Sequence, residues 1–254
     1  MRDTAPPAAP PADSDLLRQT SLLRQQNDTL QRAAAQHQRQ IGALQDLTMH
    51  ALTALAATRD NETGQHVRRT AFYVKLLAEQ LCGHPRFAAA LDEQTIDLLF
   101  KSAPLHDIGK VGVPDSILLK PGRFDAAEKA IMQDHARFGY ETLLAVEREF
   151  GGTADFLDCA KQIAYSHHEK WDGSGYPQGL AGAAIPLPAR LMALADVYDA
   201  LISERIYKEP LTPAQAAVVI IEGRGSHFEP DIVDAFVAIQ DQFEAVARRQ
   251  ADLL

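Results

Sequence analysis

Apolar residues recur with helical spacing along most of this chain. In the segment HVRRTAFYVKLLAEQL they fall three or four positions apart, which places them on one helical face: Val67, Ala71, Val74, Leu77, Ala78 and Leu81. Patterns that alternate with a period of two are scarce, and no internal repeat is found. The fold class predicted from residue 51 onward is therefore all-α, a bundle of many helices.

Two helix starts have clear capping signals. Asp125 and Glu128 stand three residues apart at the beginning of an apolar-periodic segment, which is the spacing of a capping box. Thr212 is followed by Pro213 at the first helical position and by Gln215 three residues after the cap. Helices are predicted to begin at both places, and His135 is expected in the middle of the first of them.

The N-terminal part has a different pattern. Residues 1–15 are rich in proline and alanine and are predicted to be disordered or extended. A heptad repeat then follows in residues 16–50, formed by two sets of positions: Leu16, Leu23, Leu30, His37 and Leu44, and Thr20, Asn27, Ala34, Ile41 and Thr48. A dimerising coiled coil fits this spacing, with Asn27 fixing the register, but a solvated glutamine-rich linker helix fits as well. Residues 51–254 would form the third part, the helical domain.

Composition narrows the range of partners. The 254 residues include 25 Lys plus Arg against 34 Asp plus Glu, a formal net charge of −9, and no basic run is present that could follow a phosphate backbone. A nucleic acid polymer is therefore not expected as a partner. A small phosphate ester is still compatible with this charge, because metal ions or a few cationic side chains can supply local positive charge.

The spacing of the cysteines and the hydropathy of the chain indicate where in the cell the protein is expected. Cys82 and Cys159 lie far apart, which argues against a disulfide framework and against a thiolate zinc site. The N-terminal stretch has no apolar core of signal-peptide length, and no segment approaches the roughly 18 apolar residues that span a bilayer. We therefore expect a cytoplasmic protein without a membrane segment.

Histidines and carboxylates recur in short groups along the predicted bundle. Glu62 and His66 are four residues apart at a helix start, so that both can reach one metal ion, and His106 and Asp107 follow an apolar helix, with Lys110 nearby. Taken alone, each group is explained as well by a helix cap, an exposed histidine or chance.

Further along the chain stand His135, the pair His167 and His168, and Asp196, a carboxylate in a strongly apolar helix where burial without a cation would be costly. Five histidines and three carboxylates without sulfur favour iron, manganese or zinc over copper. The segment SHHEKWDGSGYP, which contains the histidine pair, ends in a glycine-rich turn with Tyr176 and Pro177.

The order of these groups resembles the HD superfamily of metal-dependent phosphohydrolases, and HHEKWDGSGYP is similar to the signature of its HD-GYP branch. The resemblance covers roughly residues 50–240. It implies a helical domain that holds two or three divalent metal ions, iron or manganese being favoured over zinc, nickel or magnesium. It also implies hydrolysis of the bacterial second messenger cyclic di-GMP to linear pGpG, and in some members further to GMP.

Residue roles follow from the same resemblance. The implied metal ligands are His66, His106, Asp107, His135, His167, His168 and Asp196, with Glu62 completing a third site. Asp107 would bridge two ions and orient the attacking water, Lys110 would bind the scissile phosphate, and Arg205 and Lys208 would contact the substrate. Glu169 is expected to orient one of the histidines, and Tyr176 either stacks on a guanine or has a purely structural role.

Two other functions remain open at this point. A non-catalytic cyclic di-GMP sensor that signals through the coil predicts missing ligands, whereas the full set is present. An HD-type mononucleotide phosphohydrolase would not require the DGSGYP turn. The expected partners are cyclic di-GMP, a second copy bound through the N-terminal helix, and a receiver or sensor protein or a diguanylate cyclase.

Overall fold

The computed structural model describes residues 12–57, 59, 64–151, 155–203 and 209–251, and the chain divides into two compact units, residues 1–48 and 49–254. Helix α1, Ala12–Ala57, provides the described part of the first unit and continues into the second. It begins four residues before the predicted coil and ends beyond residue 50. Leucines at the predicted seam are exposed, among them Leu16, Leu23 and Leu30.

The second unit is built from helices, and its described residues contain no β-strand. The helices after α1 are α2 (Gly64–Leu81), α3 (Glu93–Ser102), α4 (Asp115–Leu118), α5 (Ala126–Gln133), α6 (His135–Phe150), α7 (Asp155–Ser166), α8 (Leu187–Ile202), α9 (Pro213–Glu222), α10 (Pro230–Ala238) and α11 (Gln240–Ala251). Two 3₁₀ turns, Ala103–Leu105 and Ile108–Gly112, connect α3 to α4 around the His106–Asp107 dipeptide. The predicted all-α fold is confirmed.

The local signals read from the sequence have structural counterparts. Asp125 and Glu128 form a reciprocal capping box at the start of α5, and Thr212 and Gln215 form another at α9 with Pro213 at the first position. The predicted apolar face of α2 is buried from Ala71 to Leu81, because it packs into the main core.

That core fixes α2 against α8 and α11. The ring of Tyr73 stacks on Phe243 with centroids 4.4 Å apart and meets Tyr198 edge to face at 5.3 Å. All three side chains are almost fully buried, and aromatic contacts of this kind contribute both apolar area and a preferred geometry. These contacts fix the position of α2 relative to α8, and therefore the position of His66 on α2 relative to Asp196 on α8.

The prediction that His135 lies in mid-helix is wrong, because the expected helix is divided at Asp134 into α5 and α6 and His135 is the first residue of α6. A Cβ atom at Gly109 would lie 2.0 Å from the carbonyl oxygen of His135, so the 3₁₀ turn approaches α6 as closely as only glycine permits. The break therefore accompanies a tertiary contact that brings His135 beside the His106–Asp107 segment.

None of the helices in the described residues has both the length and the apolar composition needed to cross a lipid bilayer.

Candidate metal centre

Seven of the predicted ligands lie together in the second unit, in two adjoining groups. Their ligand atoms lie within 4.8 Å of one another inside each group, and the groups are Asp107, His135, His167 and His168, and His66, His106 and Asp196. They come from α2, the segment between α3 and α4, the start of α6, the turn that follows α7, and α8. Of the five remaining predicted site residues, Lys110 and Tyr176 are described below, whereas Glu62, Arg205 and Lys208 lie outside the described residues.

Asp107 stands between the two groups. Its Oδ1 atom lies 3.2 Å from His135 Nε2 and 3.7 Å from His167 Nε2, whereas Oδ2 lies 3.1 Å from His106 Nε2 and 2.9 Å from Lys110 Nζ. Each carboxylate oxygen therefore faces a different set of imidazoles. This is the arrangement that a carboxylate needs in order to be shared between two cations.

The histidines are oriented through their Nδ1 atoms. In His106, His135 and His167 this nitrogen lies 2.7–3.0 Å from a main-chain carbonyl oxygen, that of Ala103, Met132 and Ile163 respectively. A carbonyl oxygen can only accept a hydrogen bond, so Nδ1 is the protonated nitrogen in each ring. In its neutral form each of these imidazoles presents the Nε2 lone pair to Asp107 or to a neighbouring imidazole, as metal-binding histidines do.

His66 is oriented differently, by a side chain. Its Nδ1 donates to Asp199 Oδ2 at 2.8 Å, and Arg69 donates to both oxygens of the same carboxylate at 2.6 and 2.7 Å. The Nε2 atom then faces Asp196 Oδ1 at 3.6 Å and His106 Nε2 at 3.4 Å. With both Nδ1 atoms donating, these two Nε2 atoms are acceptors that face each other.

Acceptor atoms also oppose each other in the first group. Asp107 Oδ1, His135 Nε2 and His167 Nε2 are buried, and within the described part of the chain none of them has a hydrogen-bond partner. The contacts of 3.2 and 3.7 Å among them are close without having hydrogen-bond geometry. Buried lone pairs that face one another are costly unless a cation lies between them, so this donor set fits divalent metal ions.

Protonation supports the same conclusion. Burial by itself would raise the pKa of Asp107, but the nearby positive charge of Lys110 contributes most to holding that pKa well below its ordinary range. Burial lowers the pKa of His167 and, together with the neighbouring imidazoles, of His168. An ionised carboxylate and neutral imidazoles are the forms in which these groups bind a metal.

The GYP turn closes one side of the centre. The ring of Tyr176 stacks on His168 with centroids 4.7 Å apart, and the Tyr176 amide donates to the His168 carbonyl at 3.2 Å. A Cβ atom at Gly175 would lie 2.4–2.6 Å from main-chain atoms of residues 168–170, so no side chain fits there. The turn therefore supports His168 directly.

Glu169 does not have the expected role. Its carboxylate oxygens accept hydrogen bonds from the Gln178 and Leu180 amides at 2.7 and 3.0 Å, rather than from an imidazole. This buried residue thus closes the loop that contains the GYP turn, and it acts on the histidine pair only through the loop.

Sequence reasoning missed Asp199 and Arg69. Asp199 is fully buried in the same apolar helix as Asp196, and Arg69 lies one turn after His66 on α2. The available signal was the cost of burying a second carboxylate in α8, which calls for a cation as much as the first does.

Several known proteins are similar to this chain in sequence or in fold. Among curated proteins, the chain is 52% identical over 215 residues to a cyclic di-GMP phosphodiesterase and 45% identical over 188 residues to 3'3'-cGAMP-specific phosphodiesterase 2, both of Vibrio cholerae serotype O1. These alignments cover 85% and 74% of this chain but only 44% and 33% of the two relatives.

A crystal structure of a cyclic GMP-AMP specific phosphodiesterase of V. cholerae has a similar fold. The TM-score is 0.56 at 21% identity, with 83% of this chain and 53% of that chain covered. Residues 50–232 match the family model described as HD domain. The resemblance read from the motifs is thereby confirmed, and the chain belongs to the HD domain family.

Proposed function

We propose that this chain is a metal-dependent phosphodiesterase that hydrolyses cyclic di-GMP to linear pGpG, with GMP as a further product to be tested. The observation that carries the proposal is the pair of adjoining His/Asp groups that share Asp107, with buried lone pairs directed at one another. The substrate is inferred from the relative that is 52% identical and is named a cyclic di-GMP phosphodiesterase.

The proposed ligands of the first two ions are the seven residues of the two groups. Divalent ions there would supply charge neutralisation at the phosphate and a water of lowered pKa. Iron or manganese suits this set of imidazoles and carboxylates better than a thiophilic metal, with zinc, nickel and magnesium as alternatives. Glu62 is proposed to complete a third site, on the basis of the sequence resemblance.

The chain's own groups have distinct proposed tasks. Asp107, ionised and placed between the groups, would orient the attacking water. Lys110, whose ammonium lies 2.9 Å from Asp107 Oδ2, would stabilise charge on the phosphoryl oxygens. The position of Tyr176 on His168 supports a structural role for its ring and leaves guanine stacking as a proposal. Arg205 and Lys208 remain proposed substrate contacts.

A second candidate substrate is 3'3'-cGAMP, because a relative 45% identical over 188 residues is named as specific for it. Both dinucleotides carry two bridging phosphates, so the same centre could cleave either one. The discrimination would depend on the residues that contact the second base.

The decisive experiment combines metal analysis with hydrolysis. Protein purified without oxygen is assayed for bound metal and for turnover of cyclic di-GMP, 3'3'-cGAMP, pGpG and a mononucleotide, with the variant His106→Ala/Asp107→Ala as control. We expect dinucleotide cleavage in the wild type and loss of both metal and cleavage in the variant. Binding without cleavage would favour a sensor, and preferential mononucleotide cleavage would favour a nucleotidase.

The partners and location are also proposed. The exposed seam leucines of α1 support a homodimer formed through this helix. A receiver or sensor protein, or a diguanylate cyclase, is proposed as a regulatory partner, and a cytoplasmic location is proposed because the substrate is an intracellular messenger.

A further inference from the structure

We propose that Arg69 and Asp199 act as a positioning pair for the metal ligand His66, in addition to joining α2 to α8. The inference rests on the proposed function in one respect, namely that His66 binds a divalent ion. It concerns two residues outside the ligand set, and the measurements that test it do not depend on turnover.

The first step is the placement of the four groups. His66 and Arg69 stand three residues apart on α2, and Asp196 and Asp199 stand three residues apart on α8, so each helix presents one ligand and one charged residue on the same face. Asp199 meets both residues of α2, through His66 Nδ1 at 2.8 Å and the Arg69 guanidinium at 2.6 and 2.7 Å. The pair thus lies one helical turn away from the ligand atoms.

The second step is the difference between His66 and the other histidines. His106 and His135 bond to carbonyls three residues earlier, and His167 bonds to one four residues earlier. Nδ1 of His66, the third residue of α2, instead donates to a carboxylate of α8, that of Asp199. Its orientation therefore depends on a side chain of α8.

The third step is the charge of that acceptor. When a carboxylate, rather than a neutral carbonyl, accepts the hydrogen bond from Nδ1–H, the imidazole becomes more basic. Its Nε2 atom is then a stronger ligand for a metal ion. Asp199 is fully buried, so it can remain an anion only with a cation beside it, and Arg69 supplies that cation with two parallel hydrogen bonds. Ser203 completes the network, donating to Asp199 Oδ2 at 3.1 Å and accepting from Arg69 at 2.8 Å.

The test separates positioning from packing with two variants. Asp199→Asn keeps the shape and removes the charge. Arg69→Met/Asp199→Leu removes the charges and the acceptor together, and because buried ion pairs can often be replaced by apolar side chains without loss of stability, it leaves no lone buried charge. The matched control is Glu147→Gln, which breaks another largely buried pair, Lys161–Glu147, between α6 and α7.

The measurements are made on the full chain after removal of metal. Mn²⁺ affinity is determined by titration, the Co²⁺ absorption spectrum reports ligand geometry, and circular dichroism during heating reports stability. We expect both variants to bind Mn²⁺ about 10- to 100-fold more weakly and to have altered Co²⁺ bands. The control should keep wild-type affinity and bands even if its melting temperature falls.

Wild-type Mn²⁺ affinity and Co²⁺ bands in a folded Arg69→Met/Asp199→Leu variant would overturn the inference and leave the pair a packing contact. If Asp199→Asn does not fold, the double variant decides the question alone. A wild type that binds Mn²⁺ but cleaves neither dinucleotide would refute the proposed function, whereas the positioning inference would still be decided by the affinities.

Discussion

Lys110 illustrates how one side chain can serve the proposed reaction without holding a metal. Its ammonium contacts the Asp107 carboxylate at the edge of the two ligand groups. We predict that Lys110→Met retains most of the bound metal but lowers kcat by about 10²- to 10³-fold, the usual effect of removing one donor to a developing oxyanion. Lys101→Met is the control, because Lys101 pairs with Asp97 within α3. Metal loss that parallels the loss of activity would instead assign Lys110 to holding Asp107.

His227 gives a prediction on pH. Burial, with Lys170 nearby, lowers the pKa of its imidazole to about 4, whereas an unfolded histidine titrates near about 6.5. As the pH falls below about 6.5, the unfolded chain takes up this proton first, so the native state loses stability until the pH reaches about 4. The slope is at most about 1.4 kcal/mol per pH unit, and less here because the side chain is partly exposed.

The measurement is urea unfolding of metal-free protein at pH 7 and pH 5, for the wild type and for His227→Gln. The variant should lose less stability over this interval than the wild type. His167 and His168, whose pKa values are also lowered, contribute equally to both proteins and cancel in the comparison. Parallel losses in the two proteins would contradict the assignment to His227.

At the residue scale, the sequence pattern predicted the seven residues that the structure brings together, but not the hydrogen-bond network behind them. Asp196 and Asp199 occur in the same segment, ADVYDA, and both would be costly to bury alone. Their different roles depend on what α2 places opposite each of them, and that is a tertiary contact. The pairing of Asp199 with Arg69 spans 130 positions of sequence, and no local pattern encodes it.

At the scale of elements, the loop after α7 is where the main-chain conformation most directly supports a predicted metal ligand, His168. Gly175 leaves no space for a Cβ atom beside the main chain of residues 168–170. We predict that Gly175→Ala displaces this segment, costs about 1–3 kcal/mol of stability, and weakens metal binding through His168. Gly83→Ala, at a position with open space, is the control. Equal melting temperatures and equal metal content in the two variants would contradict this account.

Helix α1 provides the prediction about assembly. Leu16, Leu23 and Leu30 are exposed and spaced seven residues apart on α1. Burying them against a second copy of the helix would stabilise a dimer. Deletion of residues 12–48 should therefore change the molar mass measured by light scattering from that of a dimer to that of a monomer. Leu23→Glu/Leu30→Glu should have the same effect, whereas Arg24→Glu, outside the two sets of seam positions, should not. An unchanged mass would make the segment a linker helix.

Element boundaries were predictable where the signal is local. The capping boxes at α5 and α9 were read from three-residue spacings, and the structure contains both of them. The break at Asp134 was not, because no proline or glycine marks it and the helical periodicity continues through it. It coincides with the close approach of Gly109, which comes from a segment more than 20 positions earlier.

For the whole molecule, the centre joins parts of the fold that are distant in sequence, from His66 on α2 to Asp196 on α8. Bound ions should therefore stabilise the native state as a whole, by about 2.7 kcal/mol at a free metal concentration one hundred times Kd. We predict that chelation lowers Tm by roughly 5–10 °C, at 2–4 °C for each kcal/mol, and that Mn²⁺ restores it. An unchanged Tm after verified removal of metal would contradict this coupling.

The carbonyl acceptors of His106, His135 and His167 have a consequence for tolerance to substitution. A main-chain oxygen remains in place whatever side chain its residue carries, so Ala103, Met132 and Ile163 can be exchanged without removing the hydrogen bond, provided that packing is preserved. Evolution or protein design can therefore change the side chains around these three imidazoles while the orientation of the rings is preserved. His66 differs because its acceptor is a side chain. A single base change in the codon for Asp199 is enough to remove that hydrogen bond.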